Sequence, residues 1–172
     1  IILIYLIKSI DMKVSFDFDS TLSKQSVQNY ASELFRRGIE VHIVTSRFKE
    51  PGITDIDGLY NYDLFTVAIR CMIPYGRIHF TNGEYKSEFF KDHPDFAFHL
   101  DDDYLELRSI QRNTTVKAIS CSGTPNWVHK CNTIVEKELR KEWAEKYKKY
   151  VEEGEDEQML PDFLDSEADE LL

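Results

Sequence analysis

Short apolar runs alternate with segments of helical periodicity along most of this chain, and that alternation leaves few folds open to it. Residues 13–18, 40–45, 77–81, 96–100 and 116–120 are each about one strand long and draw on Val, Ile and Phe. Between the first two runs, Val27, Tyr30, Ala31, Leu34 and Phe35 recur at the spacing of one helix face. Ser23 is placed to cap that helix and Gly38 to end it. Residues 47–61 hold Pro51, Gly52 and Gly58 and read as loop. Asp63 is expected to cap a second helix, with Leu64, Val67, Ala68, Cys71 and Met72 on one face. Asn82-Gly83 reads as a turn, and shorter helices are expected over residues 86–91 and 104–110. From Trp127 to about residue 151 there is no Gly or Pro, which predicts one long helix. Val128, Cys131, Ile134, Val135 and Leu139 are its expected packing stripe, extended by Trp143 and Tyr147.

Strands alternating with helices predict a three-layer, Rossmann-like α/β domain: a parallel sheet of about five strands between helices, with a long C-terminal helix. Ligands of such sheets sit at the carboxyl ends of the strands.

The formal net charge is −10, but it is not evenly spread. Residues 151–172 hold ten acidic side chains and no Lys or Arg, so all 21 basic residues lie in 1–150 beside an equal number of acids. The charge argues against a generally basic nucleic-acid surface and says little about the partners of the body. Three domains of composition follow. Residues 1–11 are an apolar extension, too short for a membrane span of about 20 residues, ahead of an expected start at Met12. Residues 12–150 form the folded domain. Residues 151–172 form an acidic tail whose spaced hydrophobes, such as Leu160 and Phe163, suit a disordered segment or one that docks a protein partner. Cys71, Cys121 and Cys131 make neither a disulfide framework nor a zinc signature and read as reduced thiols in a cytoplasm.

The chemistry-bearing residues fall at strand ends. In Asp17-Phe18-Asp19-Ser20-Thr21 the two carboxylates stand at i and i+2, on one side of an extended strand. Their repulsion favours a bound cation, and oxygen-only ligands suit Mg²⁺. A carboxylate held beside Mg²⁺ can attack phosphorus while its neighbour protonates the leaving oxygen. The plain alternative is an acidic loop. Thr45 ends the second run and can donate to a phosphoryl oxygen, or simply form a turn, as can Ser46. Lys86 can neutralise a phosphoryl group, or be a solvated surface residue. Asp101, Asp102 and Asp103 follow a buried run, where three like charges are costly without a counter-ion. Asp101 and Asp102 are the metal candidates, and Asp103 is a helix cap.

These residues, in this order, resemble the haloacid dehalogenase-like (HAD) hydrolase superfamily. The resemblance covers about residues 13–120 and rests on four motifs. The first is an apolar strand followed by Asp17-Phe18-Asp19-Ser20-Thr21. The second is an apolar strand ending in Thr45, the third Lys86 at the start of a helix, and the fourth an apolar strand ending in Asp101-Asp102. The resemblance implies Asp17 as a nucleophile that becomes an aspartyl-phosphate, and Asp19 as general acid/base with its backbone carbonyl on Mg²⁺. It implies Thr45 and Lys86 as phosphoryl ligands and Asp101 and Asp102 as metal ligands. The metal set is then Asp17, Asp19, Asp101 and Asp102, and Thr21, Ser46 and Arg47 are substrate-binding candidates. Asp19 favours phosphate chemistry, since the family's dehalogenases lack the second aspartate. Ser20 departs from the family's usual Gly and would be strained if that position needs a positive φ. The short spacing between motifs implies a capless protein with an open site, suited to a phosphoprotein or a nucleic-acid end.

Four functions are therefore weighed: a Mg²⁺-dependent phosphomonoester hydrolase, a nucleotide or nucleic-acid 3′-phosphatase, a phosphotransferase, and a binding module that kept the fold without turnover. Phe48, Tyr60 and Tyr62 are candidates to stack on a base, with packing against the loop as the plainer role. Lys49 and Arg77 are further candidates to read a phosphate. No membrane association is expected.

Overall fold

β1 (Lys13–Phe16) is the middle strand of a five-stranded, all-parallel sheet in the order β3-β2-β1-β4-β5. The computed structural model describes residues 11–50 and 60–152, with the side chains of 150–152 left aside. Most of the apolar extension, the centre of the 47–61 loop and the acidic tail beyond Glu152 lie outside the described residues. The chain divides into two compact units, Ile1–Glu138 and Leu139–Leu172, and the whole sheet belongs to the first.

β1 pairs with β2 (Glu40–Thr45) on one side and β4 (Phe96–Asp101) on the other. β3 (Ile78–Phe80) and β5 (Lys117–Ser120) are the edges. The central strands are buried almost throughout, as a parallel sheet covered on both faces requires. Phe16 and Phe98 meet edge-on at 6.0 Å between neighbouring strands. A second apolar cluster joins Val44, Phe90, Phe96, Ile110 and Val116.

The helices are α1 (Gln25–Arg36), α2 (Tyr62–Arg70), α3 (Lys86–Asp92), α4 (Tyr104–Asn113) and α5 (Trp127–Glu152). α1 buries the expected Val27, Tyr30, Ala31 and Leu34. It ends as Gly38 predicts. Gly38 has φ 83°, and the amides of Gly38 and Ile39 bond back to Phe35 and Leu34 at 2.9 and 3.1 Å, which is a Schellman motif.

Two expected caps are corrected. Ser23 does not cap α1; the chain is still turning there, with the Ser23 amide bonded to Phe18 O at 2.9 Å, and the cap position falls to Lys24. Asn61 rather than Asp63 holds the cap position of α2, because the Asp63 carboxylate is taken by Arg47. Met72 also leaves the expected face: it turns out of the helix end at φ 59° and is exposed, and Ile73 is buried in its place.

In the first unit, α5 buries Cys131 and Val135 and sets Trp127 edge-on to Tyr30 at 5.3 Å. Val128 is exposed and Trp127 only half-buried, so the buried stripe begins at Cys131. In the second unit, Trp143 and Tyr147 are exposed. Among the described residues, no helix is long and apolar enough to cross a membrane.

The strand order places the topological switch point between β1 and β4, where the chain steps outward in opposite directions. Asp17 follows β1 and Asp101 ends β4, so both carboxylates stand at the crevice such sheets use for ligands.

Candidate functional site

The Asp17 amide donates to Leu100 O at 2.8 Å, which continues the sheet pairing one residue past β1 and pins Asp17 beside the end of β4. The chain then folds into a tight turn over Phe18–Leu22, closed by Leu22 N to Asp17 O at 3.0 Å. Ser20 takes the left-handed conformation there, at φ 54° and ψ 8°. This is the positive φ that the Gly-to-Ser departure brings into question, and a side chain held there carries strain on the order of 1 kcal/mol.

Lys86 opens α3 and is 2% exposed, so the surface alternative for it is excluded. Its ammonium donates to Asp17 Oδ1 at 2.7 Å and to Asp101 Oδ2 at 2.6 Å. Asp102 completes the group: ligand oxygens of Asp17, Asp101 and Asp102 all lie within 4.8 Å of one another. Thr21 donates to Asp102 Oδ1 at 3.1 Å and lies 3.5 Å from the Cys121 thiol. Three carboxylates against one ammonium leave an excess of two negative charges when all are ionised. Hard oxygen donors with that excess form a group that can hold a divalent metal ion.

The electrostatics agree. Burial, reinforced by the charge of Asp101 and opposed by Lys86, pushes the Asp17 carboxyl up to about 7. Burial works against the charge of Asp101 as well, but hydrogen bonds from His99 and Lys86 outweigh it and hold Asp101 well below the usual carboxylate range. Burial alone would lower Lys86, yet its two carboxylate partners keep its ammonium above the ordinary value. The ammonium thus secures Asp101 first, and Asp17 is left needing a proton or a second cation.

Asp101 is held from behind. His99 precedes it by two residues on the same face of β4, and Nε2 lies 3.1 Å from Asp101 Oδ2. Ser15 Oγ lies 2.9 Å from His99 Nδ1. Burial lowers the His99 pKa, so the ring is neutral. A neutral ring facing a carboxylate carries its proton on Nε2, which makes Ser15 the donor to Nδ1. The Asp103 amide donates to Asp101 Oδ1 at 2.9 Å, and the Asp103 carboxylate caps α4 at the Leu105 amide, 2.7 Å away, as expected.

The Asp19 carboxylate does not join the trio. The side chain is 58% exposed, and both its oxygens accept from Arg47, from Nε at 2.8 Å and Nη2 at 2.6 Å. The same guanidinium grips Asp63 with two further bonds of 2.7 and 2.9 Å and lies over the Phe18 ring at 4.6 Å. Arg47 therefore ties the turn after β1 to the start of α2. Thr45 is buried at the end of β2 and forms a turn, its Oγ1 accepting from the Arg47 amide at 3.3 Å. Ser46 donates to Glu106 at 3.4 Å. Phe48 and Tyr62 are exposed, and Arg77 is paired with Glu40 at 2.9 Å.

The structure thus brings Asp17, Lys86, Asp101, Asp102 and Thr21 together and sets Asp19 with Arg47 beside them. Sequence reasoning missed Ser15, His99 and Glu106. His99 had one available signal, its i, i+2 relation to Asp101. Glu106 had none: its capping-box spacing points to the Asp103 amide, whereas its carboxylate accepts from the Lys86 amide and from Ser46.

No family model matches the chain, and no curated protein matches it either.

Proposed function

We propose that the chain is a HAD-like, Mg²⁺-dependent phosphohydrolase that acts on a phosphomonoester through an aspartyl-phosphate on Asp17. The observation that carries this reading is the Lys86 ammonium seated between Asp17 and Asp101, with Asp102 in the same group, at the switch point of a parallel sheet. A purely structural ion pair needs one carboxylate; two on one ammonium, with a third within 4.8 Å of them, suit a site that receives further positive charge.

Asp17, Asp101 and Asp102 would hold the metal, and Mg²⁺ bound there would offset the charge of the phosphoryl oxygens. An Asp17 oxygen attacks phosphorus in line with the leaving oxygen. The phosphorus–oxygen bond to the leaving group breaks, and Asp19 supplies its proton. Water, deprotonated by Asp19, then attacks the phosphoryl group and frees Asp17. Lys86 balances the charge on Asp17 before and after transfer. Asp19 reaches this role by releasing the Arg47 fork. A cytoplasmic setting belongs to the same proposal and is supported by three free cysteines.

One observation favours a second reading, a binding module without turnover. Asp19, the residue needed to move protons, is held through both oxygens by Arg47, and the adjacent Ser20 is strained. Hydrolysis of p-nitrophenyl phosphate by the purified chain, with Mg²⁺ and with EDTA, separates the two. Turnover that requires Mg²⁺ supports the hydrolase. Mg²⁺ binding with no hydrolysis of this or any other phosphomonoester supports the module.

A further inference from the structure

α3 is seven residues long, and its own cap position, Tyr85, offers no side-chain hydrogen bond to its first turn. The bond comes from elsewhere. Glu106, in the first turn of α4, is buried, and its Oε2 accepts from the Lys86 amide at 3.0 Å. Its Oε1 accepts from Ser46 Oγ at 3.4 Å. The residue has the spacing to Asp103 of a capping box, in which its carboxylate would turn back to the Asp103 amide. That amide instead bonds Asp101 Oδ1 at 2.9 Å, and the Glu106 carboxylate faces outward from α4. One side chain therefore joins the end of β2, the start of α3 and the first turn of α4, the segments that follow or carry Thr45, Lys86 and Asp101.

We propose that Glu106 is a positioning residue for Lys86: its carboxylate fixes the Lys86 backbone so that the ammonium of the same residue is delivered between Asp17 and Asp101. The ammonium spans two carboxylates at 2.7 and 2.6 Å, and a small shift of the α3 terminus would lengthen both contacts. Ser46 anchors the carboxylate's other oxygen, so Glu106 cannot swing toward solvent without losing both bonds. The catalytic meaning of this role rests on the phosphohydrolase reading.

Amide hydrogen exchange by NMR on the full chain tests it. In Glu106→Ala the Lys86 amide is expected to exchange at least about tenfold faster than in wild type, while amides of β1 and β4 keep their rates. Glu106→Gln keeps an acceptor oxygen for that amide and is expected to return it to within about threefold of wild type. In Mg²⁺-dependent turnover, Glu106→Ala is expected to lower kcat about tenfold with KM little changed, and Glu106→Gln to recover most of the loss. An unchanged Lys86 amide in Glu106→Ala overturns the proposal. So does exchange that speeds up equally in β1 and β4, which marks general loosening. A wild-type chain without turnover overturns the phosphohydrolase reading instead, and the exchange result then still decides whether Glu106 holds Lys86.

Discussion

The ammonium of Lys86 lies 2.7 Å from Asp17 and 2.6 Å from Asp101, so a single buried cation serves carboxylates that leave two adjacent strands. Each carboxylate weakens the other's hold on it. Asp101, with His99 and the Asp103 amide behind it, keeps its charge easily, and the imbalance falls on Asp17.

Asp17→Asn should therefore stabilise the fold while removing turnover. The folded-state pKa of Asp17, about 7, lies above its ordinary 3.8, so the native state binds a proton more tightly than the unfolded chain does. Its contribution is most favourable below pH 4 and is lost as pH rises toward 7. The variant should gain on the order of 2 kcal/mol at pH 8 in the absence of metal, with the gain vanishing near pH 4. Denaturant melts at the two pH values check this.

Divalent cations should raise the melting temperature. Binding to the folded state alone adds about 2.7 kcal/mol at a hundredfold excess of Mg²⁺ over its Kd. EDTA should reverse the shift. Asp101→Asn and Asp102→Asn should each reduce it, because each removes an oxygen ligand from the group. Thermal scans with and without Mg²⁺ read this directly.

Arg47 and Asp63 should be energetically coupled. Four charge-assisted bonds from one guanidinium to Asp19 and Asp63 form a network rather than an isolated surface pair. A double-mutant cycle of Arg47→Ala with Asp63→Asn should give a coupling of about 0.5–1 kcal/mol. Arg47→Lys should not restore it, since an ammonium cannot make both forks. Additive effects would mean that the network does not hold the loop after β2 to α2.

Acid should weaken the fold through the edge of the sheet. His79 stacks on His42 at 5.3 Å and meets the Phe89 ring at a tilt at 4.7 Å, and its Nε2 lies 3.0 Å from His42 Nδ1. Burial, with the neighbouring histidines His42 and His93, lowers the His79 pKa to about 4 from 6.5. The unfolded state then binds the extra proton first. Stability is fully present above pH 6.5 and falls between 6.5 and 4, on the order of 1 kcal/mol per pH unit at the steepest. His79→Gln should flatten that limb. An unchanged slope would place the acid sensitivity elsewhere.

The sheet was legible because a doubly covered parallel strand is a short apolar run, and all five runs became strands. The helix caps were less so. Ser23 and Asp63 have the right chemistry, but a tight turn and a guanidinium from another loop claimed them, and such competition is invisible to local pattern. Asp17, Asp101 and Asp102 could be read from position alone, as acids at the ends of buried strands. Lys86 could not: a lysine opening a helix looks solvated, and only its resemblance to a motif singled it out. Glu106 was hidden for a simpler reason. Its partners are 20 and 60 residues away in sequence.

The central claim is that Asp17 carries the phosphoryl group, and the most direct measurement is to look for it there. The purified chain would be quenched during turnover of a phosphomonoester with Mg²⁺, the acyl phosphate trapped by borohydride, and the modified residue located by mass spectrometry. The account predicts one modified side chain, Asp17, absent when EDTA is present and absent in Asp17→Asn. Phosphate released with Asp17 unmodified, or a label on another residue, would contradict it.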